Sequence, residues 1–436
     1  MLGVVTSSAL GPVHYVPLGL IAGWYSSVVA SDRSPGSGRG ASNGRHGTPL
    51  QAASCQGPPA ACTLLPCGCP FACSRPWFGD QESHAERALA PRVVCCGPPT
   101  TRHVSREEEG AGMPTATLEI ADIGPAWNAL QRRLAAGSST AHRRKRLVII
   151  NGKGGVGKSS MAAAIAVTCA SIGQRVALVE LDPQGNNAED LGFLGTEFFD
   201  NGQAQVDAIL NGKRLVPTGQ VRENLYVIPG GDLLEEVVEE LYIQKRAYRD
   251  HEDPLARDAW MGMYAAALDS LDEDFDLVIL DVAPGYETLQ LQALASGDMV
   301  IIPAKSDPSS RKGLRTVARR MVRAKQHNPS ITLLGVALFG VNSSAKKVLG
   351  NIREFFEGDL RGIAEVFSTA IRHVEAAAVA CRTNGLVAQE LASRTDRGVD
   401  PSVMHSVNNL AKDYRSLAME VLSTMAKLNS IGGEQK

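Results

Sequence analysis

Residues Gly152 to Ser160 read Gly-Lys-Gly-Gly-Val-Gly-Lys-Ser-Ser and follow directly on the apolar run Leu147, Val148, Ile149 and Ile150. The order glycine, four residues, Gly-Lys-Ser lets successive backbone N–H groups face a polyphosphate, a path that side chains at the glycines would block. A helix starting at this point aims its N-terminus at the same anion. Lys158 is then placed to reach the β and γ phosphates, and Ser159 offers a hydroxyl to Mg²⁺. The loop residues Gly152, Gly154, Gly155, Val156, Gly157, Lys158, Ser159 and Ser160 form the expected nucleotide cradle. A glycine-rich turn reproduces parts of this, but not strand, helix and closing Lys-Ser together. The chain is expected to bind ATP or GTP.

Composition adds bounds. The 436 residues carry a formal net charge of −2, so any nucleic-acid surface must be local. Residues 1–112 hold Cys55, Cys62, Cys67, Cys69, Cys73, Cys95 and Cys96, contain no lysine and show no sustained apolar period. Their cysteine spacing lacks the Cys-x-x-Cys clip or His pair of a zinc site. Leu2 to Ala30 is a poor signal peptide or membrane span, because it contains Pro12, His14 and Pro17 and lacks a basic leading region. Glu107, Glu108, Glu109 and Gly110 require purine-rich codons that resemble a ribosome-binding sequence just before Met113. The segment 1–112 is therefore expected to be disordered or untranslated, with the start at Met113.

Three layers of organisation follow. Residues 113–146 form a short arm, in which Ala126 to Ala136 reads as one helix with Trp127, Leu130 and Leu134 at helical spacing. Its end, Arg143, Arg144, Lys145 and Arg146, is either a phosphate contact or a solvated lead-in to a strand. Residues 147–430 alternate strands and helices, with strands expected at Val176 to Leu181, Leu225 to Ile228, Leu277 to Leu280, Val300 to Ile302 and Ile331 to Leu338. Such Val/Ile/Leu-rich runs suit strands buried on both faces, which predicts an α/β fold: a mostly parallel twisted sheet with helices on both faces and the nucleotide at its carboxyl end. Pro401 to Leu428 carries one apolar stripe and should pack on that sheet as a long last helix.

Lys153 is not needed by an ordinary phosphate loop. A second ammonium beside Lys158 is repelled unless a triphosphate lies between them. With it, Lys153 to Ser159 resembles the ParA/MinD family of deviant Walker A ATPases within the P-loop NTPases, and the resemblance is nearest to ParA-type (Soj-like) DNA-partition ATPases. Two further segments share it. Arg175 to Asn186 resembles the family's second motif, ending Asp-Pro-Gln-Gly-Asn, with Glu180 where the family usually has Asp. The apolar strand ending at Asp281 resembles a Walker B element. The likeness spans about Arg146 to Glu390.

The resemblance implies ATP and Mg²⁺ as ligands, with Lys153 reaching across a homodimer, Lys158 on the phosphates, Asp182 orienting the attacking water, and Ser159 and Asp281 holding the metal. It implies slow ATP hydrolysis stimulated by a ParB-like centromere-binding partner, nonspecific DNA binding in the ATP state, and a cytoplasmic, nucleoid-associated role in plasmid or chromosome segregation. Arg311, Arg315, Arg319 and Arg323 recur every fourth residue and would form one basic helix stripe, either a solvated face or a phosphate contact. Arg372 aligns with a family segment implicated in DNA contact. A MinD-like membrane-cycling ATPase is one alternative, although the chain ends Gly-Gly-Glu-Gln-Lys without a basic amphipathic tail, so no membrane partner is expected. An iron–sulfur reductase would need bridging cysteines that Cys169 and Cys381 do not supply. An adaptor that binds nucleotide with little hydrolysis is the third, suggested by Glu180.

Overall fold

The computed structural model describes residues 123–137, 143–342, 346–360, 364–394 and 398–431. The segment 1–112 and Met113 lie outside them. The strands are β1 (Arg146–Ile149), β2 (Val176–Leu181), β3 (Gly219–Arg222), β4 (Leu225–Ile228), β5 (Leu277–Val282), β6 (Met299–Ala304), β7 (Thr332–Val341) and β8 (Glu365–Arg372). They make one sheet in the order β3-β4-β2-β5-β1-β6-β7-β8. Every neighbouring pair is parallel except β3 with β4. This is the expected α/β architecture. The antiparallel edge strand β3 was not foreseen, because Gly-Gln-Val-Arg on a half-exposed edge has no apolar run to announce it.

The central strands β1, β2, β5 and β6 are buried along their whole length. Their side chains alternate between two cores, as the pleat requires. Val148 and Ile150 face the side covered by the helices Leu234–Ala247, Met263–Leu268, Glu287–Ser296 and Pro308–Ala324. Leu147 and Ile149 face the side covered by Lys158–Ser171, Ala388–Ser393 and Pro401–Ile431. The helix Lys158–Ser171 is alanine-rich and buried almost all round, since it is pressed between the sheet and the long last helix. That last helix buries Val407, Leu410, Tyr414, Leu417, Val421 and Met425 of its predicted stripe.

The arm helix runs Gly124–Ala136, with Pro125 in its first turn. Its inward face differs from the expected one: Ala126, Ala129, Leu130 and Arg133 are buried, whereas Trp127 and Leu134 are only half-buried. The reason is close packing on Gly262, where a Cβ would lie 2.3 Å from the Ala126 carbonyl oxygen, so only small side chains fit at the crossing. Charge also turns the helix, because Asp298 takes the Arg133 guanidinium at 2.5 Å.

Asp298 is 1% exposed and also accepts the backbone N–H groups of Lys145 and Arg146, at 2.8 and 2.9 Å. Arg146, equally buried, is held by Asp269 and Asp272 at 2.7 Å each. Burial alone would lower the Arg146 pKa, but Asp272, Asp298 and Asp269 raise it instead. The basic lead-in is thus not a phosphate contact at Lys145 or Arg146. It lies at the amino end of β1, opposite the phosphate loop, and Lys145 spends its ammonium on the carbonyls of Asp272 and Phe275. Removing one partner of such a buried pair strands the other charge, so Asp298→Ala should cost about 3–5 kcal/mol, measurable by urea unfolding.

Candidate nucleotide site

The loop that leaves β1 is built before any ligand arrives. Asn151 is fully buried, donates to the Pro303 carbonyl at 2.6 Å and accepts the Lys153 N–H at 2.8 Å, which ties the loop to the end of β6. Val156 is buried beneath it. Gly157 has φ +80°, a left-handed conformation open to glycine, and a Cβ there would sit 2.2 Å from the Phe339 ring. The helix Lys158–Ser171 starts at the next residue. Gly152, Gly154, Gly155 and Gly157 thereby expose a run of backbone N–H groups at a helix N-terminus, an arrangement suited to phosphate.

Acidic residues converge on the same edge because β2 and β5 are neighbours in parallel register, with Glu180 opposite Asp281. Glu180, Asp182 and Asp281 are all buried, at 1%, 5% and 1% exposure. Burial pushes the Asp281 carboxyl up to about 6, against the lowering influence of Ser159, Lys158 and Asn187. Burial likewise raises Asp182, opposed by the Gln184 N–H and Lys158. Glu180 is raised too, first by burial and then by Asp281, although the Asn187 and Gly230 N–H groups bind it. Lys158 is 6% exposed, and burial lowers its pKa while Asp281 and Asp182 oppose that. Its ammonium has a long contact, 3.4 Å, to the Lys153 carbonyl.

Asp281 Oδ1 is buried with no hydrogen-bond partner, while Oδ2 accepts from Asn187. A buried anionic oxygen without a donor suits a cation. The donor set here, a serine hydroxyl and carboxylate oxygen, is the kind that Mg²⁺ takes together with phosphate oxygens and water. Among the described residues no cluster of three His, Cys, Asp or Glu could hold a metal by itself. The serine hydroxyl and the unpartnered Asp281 oxygen fit a metal that arrives with a nucleotide.

Other expected residues are placed differently. Ser160 directs its hydroxyl to Asp190 at 3.5 Å. Lys153 is half-buried and bonds both oxygens of Asp307, at 2.9 and 2.8 Å. Asp307 in turn caps the helix Pro308–Ala324 by accepting the Ser310 N–H.

That helix carries Arg311, Arg315, Arg319 and Arg323, as its spacing predicted. The side chain of Arg311 lies outside the described residues. Arg319 is exposed and Arg315 half-buried. Arg323 turns inward to Asp258 at 2.5 Å and lies over the Trp260 ring, 5.7 Å from its centroid. Arg372, on β8, is gripped by both oxygens of Asp413 at 2.6 and 2.8 Å. The stripe is thus not one solvated face, since Arg323 neutralises a carboxylate of its own chain, as Arg372 does on β8.

A family model described as an AAA domain matches residues 144–333. The chromosome-partitioning ATPase Soj of Thermus thermophilus is 29% identical over 218 residues, covering 49% of this chain and 77% of that protein. The chromosome partitioning protein ParA of Myxococcus xanthus is 31% identical over 219 residues, 48% of this chain and 71% of that protein. The chain belongs to the ParA family. Among solved structures, an ATP complex of Cyanothece McdA covers 63% of this ParA-family chain and 97% of its own length, at 20% identity and a TM-score of 0.45. The mostly parallel sheet and the phosphate loop suit that family, in which the Thermus protein is named an ATPase.

Sequence reasoning missed Asn187, Asp258 and Asp307. Asp258 is buried, which alone would raise its pKa, but hydrogen bonds from His327 and Arg323 overturn this and bring it to about 2. A depressed carboxyl stabilises the fold above its ordinary range near 3.8 and loses that contribution as pH falls through about 2. Asp258→Asn should therefore cost about 2 kcal/mol at neutral pH, and the gap from wild type should close as unfolding is measured from pH 4 down toward 2.

Proposed function

We propose that this chain is a partition ATPase that closes as a homodimer around ATP and Mg²⁺, binds DNA without sequence preference in that state, and is released when a ParB-like centromere-binding partner stimulates hydrolysis. Its place would be the cytoplasm, on the nucleoid. The observation that carries this reading is the convergence of the loop amides, Lys158, Ser159, Asp182 and Asp281 on one edge of the sheet in a ParA-family chain. No helix among the described residues is long and apolar enough to cross a membrane.

When bound, Mg²⁺·ATP supplies the phosphoryl group and a divalent charge that neutralises its oxygens. Lys158 adds a buried positive charge against the β and γ phosphates, where low dielectric makes it count. Ser159 and Asp281 would hold the metal. Asp182 orients a water whose oxygen bonds to the γ-phosphorus as the bond to the ADP oxygen breaks. Asp182 is itself steadied by the Gln184 N–H at 3.0 Å, so its second oxygen can serve that water. The catalytic task is positioning and charge compensation, with no covalent step on the protein.

Lys153 has a different role. It leaves Asp307 when a second copy docks and gives its ammonium to the triphosphate held there, so closure exchanges an internal ion pair for an intersubunit one. Nonspecific DNA contact rests on the phosphate backbone, to which the exposed Arg319 is offered and to which Arg323 and Arg372 come only if Asp258 and Asp413 let go.

Two variants separate these roles. Lys158→Ala should abolish measurable ATP binding. Lys153→Ala should still bind ATP but lose the ATP-dependent retardation of a random-sequence DNA fragment in a gel; retained retardation removes the trans role. In the wild type that retardation should weaken steeply between 50 and 200 mM salt, as counterion release requires.

A further inference from the structure

Asn187 stands next to the proposed metal carboxylate, and none of the roles above uses it. It is 2% exposed, and its Nδ2 donates to Asp281 Oδ2 at 3.0 Å. Its backbone N–H donates to Glu180 Oε1, also at 3.0 Å, while Glu180 Oε2 accepts the Gly230 N–H at 3.3 Å. Glu180 and Asp281 are paired in register across β2 and β5. The three residues form a closed relay: strand β2 holds Glu180, Glu180 holds the start of the helix Asn186–Asp190, and that helix holds Asp281 on the neighbouring strand.

We infer that Asn187 and Glu180 are positioning residues that fix Asp281 so that one oxygen, Oδ1, is turned to the metal or its water. This rests on the nucleotide-site reading above. A carboxylate can rotate and offer either oxygen or both; an amide N–H bonded to Oδ2 removes that freedom and leaves Oδ1 without a protein donor. The same relay gives a reason for a glutamate at position 180. An aspartate on the same Cα is shorter by one carbon–carbon bond, about 1.5 Å, and could not reach the Asn187 and Gly230 N–H groups together. The longer acid is therefore a structural strut, out of the reaction itself, and its presence does not argue against hydrolysis. Gln205, fully buried, supports the strut from behind by donating to the carbonyls of Glu180 and Pro229 at 2.9 and 2.7 Å.

The test is the affinity of the full chain for a fluorescent ATP analogue, measured once in MgCl₂ and once in EDTA. Asn187→Ala should weaken binding about tenfold in MgCl₂, the usual loss when a group bonded to a metal ligand is removed, and leave the EDTA value unchanged. Asn187→Leu keeps the volume without the donor and should give the same split if the alanine variant melts early. Glu180→Asp should move in the same direction by a smaller factor. Equal losses in both conditions would mean a general structural role and overturn the inference, as would unchanged binding in MgCl₂. If the wild type itself gains nothing from MgCl₂, the inference falls together with the nucleotide-site reading; if the wild type gains from MgCl₂ and the variants lose affinity equally in both conditions or not at all, the inference falls and that reading stands alone.

Discussion

Three carboxylates and one lysine taken out of water at a single edge of the sheet are the constraint on which this molecule turns. Glu180, Asp182 and Asp281 are almost wholly buried; Lys158 is the cation set against Asp182 and Asp281, whereas Glu180 is met by the Asn187 and Gly230 N–H groups. Buried negative charge is tolerated when it is paired or when it coordinates a metal. Here the pairing is incomplete by one oxygen, Asp281 Oδ1. Burial is the main cause that raises all three acids, and a cation bound at this edge would oppose it. The rest of the fold serves to hold this edge still, from the Asn151 anchor under the loop to the ionic cluster around Asp298 at the far end of β1 and β6.

The loop's second lysine is held differently from the first. Lys158 is enclosed, whereas Lys153 is half-exposed on an ion pair with Asp307, and a pair of that exposure is worth little. Such a contact parks the ammonium in a defined place and gives it up readily. Asp307 also caps the helix that bears the arginines, and Arg320 of that helix donates to Gln290, which in turn donates to the Ala283 carbonyl beside the end of β5. Loop, carboxylate strand and basic helix therefore share one set of contacts. A shift of the phosphate loop has a short mechanical route to the helix that bears the arginines.

Legibility in the sequence follows contiguity. The phosphate loop, the strands Val176–Leu181 and Leu225–Ile228, and the last helix are encoded in unbroken segments whose period or spacing carries the signal, and each is found where it was expected. The edge strand β3 has no period to read. The partners of the site were hidden for another reason. Asn187 meets Asp281 across 94 residues, Lys153 meets Asp307 across 154, and Arg323 meets Asp258 across 65. These pairings depend on strand order, which local patterning does not carry. The arginine repeat shows the limit clearly: the helix was readable, but which guanidinium points to water was decided by carboxylates elsewhere in the chain.

The central claim is that the triphosphate is completed by a second copy of the chain. Its most direct test is sedimentation of the wild-type protein without nucleotide and again with a nonhydrolysable ATP analogue and Mg²⁺. The structure's account requires the second sample to run at twice the mass of the first. A monomer under both conditions, at protein and nucleotide concentrations where the analogue is shown to be bound, contradicts it.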